Sequence, residues 1–186
     1  MLALIIVIVV VVLLVGFVVV GFNKLRRSDI AAQGALGDID VQLTRRADLI
    51  PNLVESVKGY AAHEKSVFEE VTAARANVQK AAAGDDVPAK AAADAQLQGA
   101  LLNLNAVAEA YPDLKANQNF LDLQAQLADT ENKVGASRKH YNDAVSELNT
   151  SVSTVPWMFF AGMAGVKQRD FYEAPEENRA APKVEF

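Results

Sequence analysis

The sequence predicts an all-α protein. A single N-terminal transmembrane helix precedes an elongated antiparallel bundle of three long helices, one of them kinked, and a short C-terminal helix, as in a four-helix bundle. Three observations carry this prediction. Residues 1–22 contain no charged or polar side chain. Residues 36–81 and 120–155 place apolar side chains in rows with a period of seven, which is typical of packed helices. Residues 23–155 show no alternating strand pattern.

The composition separates the chain into a membrane segment and one domain-sized region. The chain has 186 residues, a formal charge of −5 and 51% hydrophobic residues, and every charged residue follows residue 22. The absence of cysteine excludes disulfides and thiol catalysis. The acidic balance argues against a nucleic-acid partner. The expected organisation is an anchor (1–22), a juxtamembrane linker (23–35), the bundle (36–166) and an extended tail (167–186).

Residues 1–22 would rise about 33 Å as a helix, enough to cross a hydrocarbon core of about 30 Å. A cleaved signal peptide is the alternative, with a faint cleavage pattern at Val19-x-Gly21, but the segment lacks a basic start. Lys24, Arg26 and Arg27 follow the segment directly. Because positive charge stays on the cytoplasmic side, the N-terminus is expected outside and residues 23–186 in the cytoplasm.

Two apolar rows, three residues apart, define the first bundle helix. They are Leu36, Leu43, Ile50, Val57, Glu64, Val71, Val78 and Ile39, Arg46, Leu53, Tyr60, Val67, Ala74, Ala81. The unbroken phase favours one long helix, kinked at Pro51, which cannot donate to the carbonyl of Ala47. The alternative is that Asp48 caps a new helix with Pro51 in its first turn.

Turn signals divide the rest of the bundle. Residues 84–88 predict a turn after which Pro88 opens a helix, and Pro112 ends that helix at Tyr111. Asn117 is expected to cap the last long helix, and Pro156 to stop it. Its core row is Phe120, Leu127, Val134, Tyr141, Leu148 and Val155.

Residues 155–166 are apolar on all sides and too short to span a bilayer. Three interpretations are open. The segment closes the end of the bundle, lies at the bilayer surface with Trp157 as an interfacial anchor, or binds a partner.

No common reaction motif is present, so no catalytic residue, cofactor or metal ligand is predicted. No Glu is followed three residues later by His, and phosphate-loop, nucleophile-elbow and His-Glu-x-x-His patterns are absent. Arg46 and Glu64 lie in apolar rows. Three interpretations are open: their charged ends snorkel to water, they pair with a facing helix and fix its register, or they form a ligand or partner site. Glu131 and Arg138, seven residues apart, are expected to pair with a neighbouring helix.

Three stretches closely resemble the bacterial LemA family. They are RRADLIPNLVESVKGYAAHE at 45–64, EAYPDLKANQNFLDL at 109–123 and ENKVGASRKHYNDAVSELN at 131–149, joined by the closing Lys-Val-Glu-Phe at 183–186. The resemblance covers about residues 20–186. It implies an N-out anchor in the bacterial inner membrane with a cytoplasmic helical bundle, and it implies no catalytic residue. Mild departures at Val155-Pro156 and Val166 concern only the packing of the terminal segment.

Some members of that family are associated with internal membrane compartments, and some occur beside membrane-bound peptidases. The resulting hypothesis is a membrane-tethered, non-enzymatic scaffold or adaptor. Its expected partners are the lipid bilayer and either further copies of itself or a membrane protein, such as a peptidase by the family hint. The alternatives are membrane shaping by lateral self-assembly and a metal-binding or enzymatic bundle. The candidate interaction residues are Arg45, Arg46, Asp48, Asn52, Glu64, Tyr111, Tyr141, Asn142 and Trp157.

Overall fold

The computed structural model describes residues 1–173, which form helices and no strand. The all-α prediction is therefore confirmed. The helices are α1 (Leu2–Lys58), α2 (Lys65–Ala82), α3 (Val87–Glu109), α4 (Pro112–Lys115), α5 (Gln118–Ser153) and α6 (Met158–Ala164).

The chain forms two compact units. The first comprises Met1–Leu36 and His140–Phe171, and the second comprises Gly37–Lys139 and Tyr172–Phe186. Each of the helices α1 and α5 is divided between the two units, with one stretch in each.

The N-terminal part of α1, which lies in the first unit, is long and apolar enough to cross a membrane, and its apolar side chains are exposed. After this apolar part, Leu25 and Ala32 of α1 are buried, as are Val145 and Leu148 of α5. The short α6 buries Phe160, Ala161 and Ala164. It ends at Gly165, whose positive φ of 65° suits glycine, and the N–H of Val166 then donates to the carbonyl of Ala161 at 3.0 Å.

The second unit has its core between the remaining stretches of α1 and α5 and the helices α2, α3 and α4. The buried side chains follow the expected rows on α1 and α5. They include Ile39, Leu43, Ile50, Leu53 and Val57 of α1, Val71 and Val78 of α2, Leu97, Leu101 and Leu104 of α3, and Phe120, Leu127 and Val134 of α5.

The expectation of one continuous helix from 36 to 81 is wrong. The helix α1 ends at Lys58, and α2 begins only at Lys65. The N–H groups of Tyr60 and Ala61 both donate to the carbonyl of Val57 and make a turn. Glu64 therefore lies at the N-cap of α2 rather than in a core row. At the N-cap its negative charge complements the helix dipole.

The helix continues through Pro51, so the alternative of a new helix capped by Asp48 is also wrong. Proline leaves the carbonyl of Ala47 without its usual donor. Arg75 of α2 replaces that donor, because its Nε lies 3.0 Å from the carbonyl oxygen of Ala47. A side chain from a neighbouring helix thus satisfies the backbone group that the proline leaves open.

The other helix boundaries agree with the turn signals. Pro88 lies in the first turn of α3, and Asp86 caps this helix by accepting from the N–H of Ala89 at 3.0 Å. Asn117 caps α5 by accepting from the N–H of Phe120 at 3.2 Å. Val155 lies beyond the end of α5 and is exposed, so the prediction that it is the last core position of the row is wrong.

Residues 166–173 have no regular secondary structure, and side chains of α5 hold part of this segment. Asn149 donates from Nδ2 to the carbonyl of Arg169 and accepts from its N–H, both at 2.9 Å. The guanidinium of Arg169 in turn donates to Asp29 of α1 at 2.8 and 3.0 Å. The part of the predicted tail from 174 to 186 lies outside the described residues.

Candidate functional site

Five polar side chains meet inside the second unit and form a cluster centred on Asp94, which we call the Asp94 cluster. Its members are Arg46 of α1, Asp94 of α3, Glu131 and Arg138 of α5, and Tyr172. Asp94 and Arg46 are 1% and 4% exposed, so both charges have left bulk water.

Asp94 accepts hydrogen bonds through both carboxylate oxygens. Arg46 donates from Nη1 to Oδ1 at 3.1 Å, while Arg138 and the hydroxyl of Tyr172, at 3.2 Å, donate to Oδ2. The guanidinium of Arg138 also lies 5.4 Å from the centre of the Tyr172 ring. The second partner of Arg46 is Glu131, at 2.5 Å. Two cations and two anions therefore balance within the cluster.

The environment of Tyr172 keeps its hydroxyl in the form that donates. Burial raises the pKa of Tyr172 far above its ordinary value, and the negative charge of Asp94 raises it further. A neutral phenol is the state that can donate to the carboxylate.

Two open recesses adjoin the Asp94 cluster. One has a volume of about 380 Å³ and is lined by Asp94, Gln98, Arg138 and Tyr172 among others. The other, of about 220 Å³, includes Arg46 and Glu131 in its lining. The Nε atoms of Arg46 and Arg138 are buried and have no hydrogen-bond partner among the residues that the structure describes. The guanidinium groups are thus satisfied chiefly through their terminal nitrogens.

A second buried cation lies on α3. Lys90 is fully buried, pairs with Asp40 of α1 and donates to the carbonyl of Ala82 at 3.2 Å. Burial raises the pKa of Asp40, although the hydrogen bond and charge of Lys90 act in the opposite direction. Because Ala82 is the last residue of α2, this lysine joins three helices.

Of the two charges expected in apolar rows, the structure brings only Arg46 into the core. It pairs with facing helices, which is one of the interpretations that the sequence left open. Glu131 and Arg138 also reach neighbouring helices, as their spacing indicated. Glu64 is only half-buried.

Lys90 and Asp94 are not among the candidate residues predicted from the sequence. A signal for both exists, since they lie seven residues before Leu97 and Leu101, two core positions of α3. A seven-residue period extended upstream from these two leucines places a lysine and an aspartate at core positions.

A second cluster, which we call the juxtamembrane cluster, lies in the first unit. It consists of Phe17, Gly21 and Lys24 of α1 with Trp157 and Phe160. The ring of Phe17 lies 6.1 Å from that of Trp157 and packs edge-on against Phe160 at 5.4 Å. Lys24 places its Nζ 4.5 Å from the centre of the Trp157 ring. Residues 155–166 thus contact the C-terminal end of the apolar stretch of α1.

Four of the remaining candidates lie in the first unit, and one lies at a helix start in the second. Arg26 pairs weakly with Asp29 at 3.4 Å, and Arg27 is exposed. Tyr141 is buried and donates to the carbonyl of Asp170 at 2.8 Å, and burial raises its pKa. Asn142 is half-buried on α5, and Tyr111 is the N-cap of α4.

Arg45, Asp48 and Asn52 are exposed and share one face of α1, since they are three and four residues apart. Asn52 also lines a shallow recess of about 540 Å³ with Glu55 of α1 and Asp122 of α5, among other residues. None of these three side chains belongs to the Asp94 cluster. They form a separate polar face of the second unit.

Within residues 1–173, no three or more His, Cys, Asp or Glu side chains are grouped so as to hold a metal ion. Both histidines, His63 and His140, are exposed.

Taken together, the exposed apolar helix and the internally paired charges define a helical-bundle protein with an N-terminal helix able to cross a membrane. The family model described as the LemA family matches residues 35–186, and the chain belongs to that family.

Curated relatives support the same relationship. The chain is 24% identical to magnetosome protein MamQ 2 of Paramagnetospirillum magneticum (76% of this chain and 60% of the relative). It is 24% identical to magnetosome protein MamQ of Magnetospirillum gryphiswaldense (77% and 62%). It is 26% identical to protein LemA of Metamycoplasma hominis (74% and 63%). The chain thus spans about three fifths of the length of these relatives.

Proposed function

We propose that this protein is a membrane-tethered, non-enzymatic scaffold or adaptor of the bacterial inner membrane, which acts through its helical bundle. Residues 1–22 are the anchor. Lys24, Arg26 and Arg27 directly after it favour an N-terminus outside and a bundle in the cytoplasm. The LemA family and the MamQ relatives are not known as enzymes, which supports the same proposal.

The Asp94 cluster is the observation that carries the scaffold role. Its buried charges are directed at one another across α1, α3 and α5, so they favour one register of the bundle over others. A bundle held in this way presents its outer helix faces in a fixed arrangement. Such rigid faces are what a docking protein needs, because less ordering is required on binding.

The exposed face of α1 with Arg45, Asp48 and Asn52 is the proposed contact surface. Its mixed charge and amide groups resemble the polar rim of protein interfaces, and the recess beside Asn52 would admit a partner side chain. The partner is a second copy of the chain or another membrane protein. A membrane peptidase is suggested by the family resemblance alone.

Site-specific photo-crosslinking in intact cells tests this surface. A photoreactive amino acid at Asp48 or Asn52 is expected to give discrete adducts with a small number of proteins or with the chain itself. The same residue at Lys80, an exposed position of α2, serves as the matched control. Equal adduct patterns at all three positions, or none at Asp48 and Asn52, would refute the contact surface.

The orientation requires a separate test. A reporter that is active only outside the cytoplasm, fused to the carboxyl terminus, is expected to stay inactive. The variant with Lys24, Arg26 and Arg27 all changed to Gln is expected to insert in both orientations, because it lacks the positive charges that keep the segment after the anchor in the cytoplasm. An active reporter on the unchanged chain would overturn the proposed topology.

A second candidate function is membrane shaping by lateral self-assembly. The names of the magnetosome relatives favour testing it. Full-length protein reconstituted into giant vesicles would then cluster and deform the bilayer as its surface density increases. Undeformed vesicles carrying evenly distributed protein would exclude this function.

A further inference from the structure

The outer face of α6 is apolar, and no side chain among residues 1–173 covers it. Phe159 and Met163 are 72% and 56% exposed, and Val155 just before the helix is exposed too. The opposite face buries Phe160, Ala161 and Ala164. No charged residue occurs between Glu147 and Lys167. The helix is therefore apolar on both faces but packed on only one.

The contacts of α6 fix its level along α1. Phe22 is the last residue of the apolar segment. Along the helix axis, Phe17 lies about 7.5 Å before Phe22, and Lys24 lies about 10 Å after Phe17. Trp157 touches both Phe17 and Lys24. The segment thus lies where the apolar stretch ends and the charged stretch begins, which is the level of the membrane–water interface.

The side chains at this level match that location. Tryptophan and lysine are enriched at the interface, where the ring tolerates both phases and the ammonium extends toward water. Gly21 brings the two helices close together, since a Cβ there would lie 2.5 Å from Cδ2 of Phe160. The packed face of α6 is thereby fixed to the anchor, and the apolar face remains available on the outer side.

We infer that α6 is a second membrane contact: Phe159 and Met163 insert into the inner leaflet beside the anchor, with Trp157 at the interface. A lipid surface is favoured over a protein partner because the exposed apolar side chains of α6 lie beside residues 17–24 of an apolar helix whose own side chains are exposed. The inference rests on the membrane anchoring proposed above and adds a second contact with the bilayer.

Single nitroxide labels test this inference in the full-length chain, reconstituted into phosphatidylethanolamine–phosphatidylglycerol vesicles. The chain has no cysteine, so Phe159→Cys and Met163→Cys each give one labelled site. Molecular oxygen concentrates in lipid, and a nickel chelate remains in water. The ratio of the two accessibilities at Phe159 and Met163 is expected to be several-fold above that at Val41→Cys, an exposed position of α1 in the second unit.

Each other outcome has a distinct meaning. A ratio equal to that at Val41 places α6 in water and overturns the inference. Low accessibility to both reagents means that protein, either a second copy or a fold contact, covers the face, which also overturns it. Val11→Cys, in the apolar segment, reports on the anchor itself: a water-like ratio there would reject the proposed function, whereas a lipid-like ratio there confines any failure to α6.

An unlabelled measurement guards against disturbance by the label. Trp157 is the only tryptophan of the chain, so its fluorescence reports on this segment alone. Lipids brominated high on their acyl chains are expected to quench it more than lipids brominated near the bilayer centre. Absence of quenching by either lipid would contradict the proposed location.

Discussion

The Nε of Arg75 donates a hydrogen bond of 3.0 Å to the carbonyl oxygen of Ala47, four residues before Pro51. That carbonyl would be bonded to the N–H of residue 51 in an ordinary helix, and proline has none. The arginine of α2 thus lets α1 pass through a proline without leaving a buried acceptor unpaired. Helix–helix packing and backbone chemistry are coupled at this one contact.

Arg75→Met is therefore expected to lower the free energy of unfolding by about 1 kcal/mol, since it removes one hydrogen bond to a backbone group but retains an apolar stem. For a chain of this size, that corresponds to about 2–4 °C in Tm. Circular dichroism of the detergent-solubilised chain during heating measures it. Lys80→Met, at an exposed position of the same helix, is the control and should leave Tm unchanged.

The Pro51→Ala background decides whether the effect runs through Ala47. Alanine restores the helical N–H, so Arg75→Met should cost less there than in the unchanged chain. If Arg75→Met has the same effect in both backgrounds, the arginine stabilises the protein by another route.

Asp94 is expected to be the most sensitive single position of the second unit. Asp94→Ala leaves the buried Arg46 and the half-buried Arg138 without their shared carboxylate, and breaking a buried pair in this way costs about 3–5 kcal/mol. Thermal unfolding measures the loss. Asp48→Ala, at an exposed position of α1, should change stability by less than about 0.5 kcal/mol.

A double variant separates two costs: the loss of the ion pair itself, and the cost of leaving one charge buried without its partner. Asp94→Leu with Arg46→Met is expected to be destabilised by less than the sum of the two single variants, because each single variant deprives the other buried charge of this partner, a cost that the double variant does not incur. Strict additivity would mean that the two groups do not act as a pair.

Much of this arrangement follows from the sequence because core positions repeat. The rows through Leu43, Ile50 and Val57 and through Phe120, Leu127 and Val134 are buried as expected. Local signals likewise set the start of α3 at Asp86 and of α5 at Asn117, since each capping bond is accepted from a backbone N–H three residues further along the chain.

The features that the sequence did not show depend on distant partners. A seven-residue row has the same phase whether or not the chain turns at 59–64, so it could not reveal the break before α2. The choice of partner for Arg46 needed the position of α3, and Tyr172 reaches Asp94 from a segment without regular structure. Side-chain pairing between elements is a tertiary property that no local pattern encodes.

Alkaline pH is expected to destabilise the protein through Tyr141 and Tyr172. Burial raises the pKa of both phenols above the ordinary value of 10.0, so the folded state binds these protons more tightly than the unfolded state does. Their contribution to stability is complete below pH 10 and is lost as the pH rises further. The variants Tyr141→Phe and Tyr172→Phe should each show a smaller fall in Tm above pH 10 than the unchanged chain.

Spectrophotometric titration gives an independent measurement. The chain has four tyrosines, and each of these variants should lose part of the late tyrosinate absorbance rather than the early part. Loss of the early part instead would contradict the assignment of raised pKa values to these two residues.

Gly21 and Gly16, five residues apart in the apolar helix, offer a matched pair for testing how α6 docks on α1. A Cβ at Gly21 would lie 2.5 Å from Cδ2 and 3.0 Å from Cγ of Phe160, whereas a Cβ at Gly16 meets nothing within 4 Å. Gly21→Ala must therefore displace the Phe160 ring and disturb the juxtamembrane cluster to which Trp157 belongs. We expect Gly21→Ala to shift the emission maximum of Trp157 and to change its quenching by acrylamide, while Gly16→Ala leaves both unchanged. Because each variant adds the same methyl group to the same helix, equal spectra for the two would show that α6 does not pack closely against Gly21.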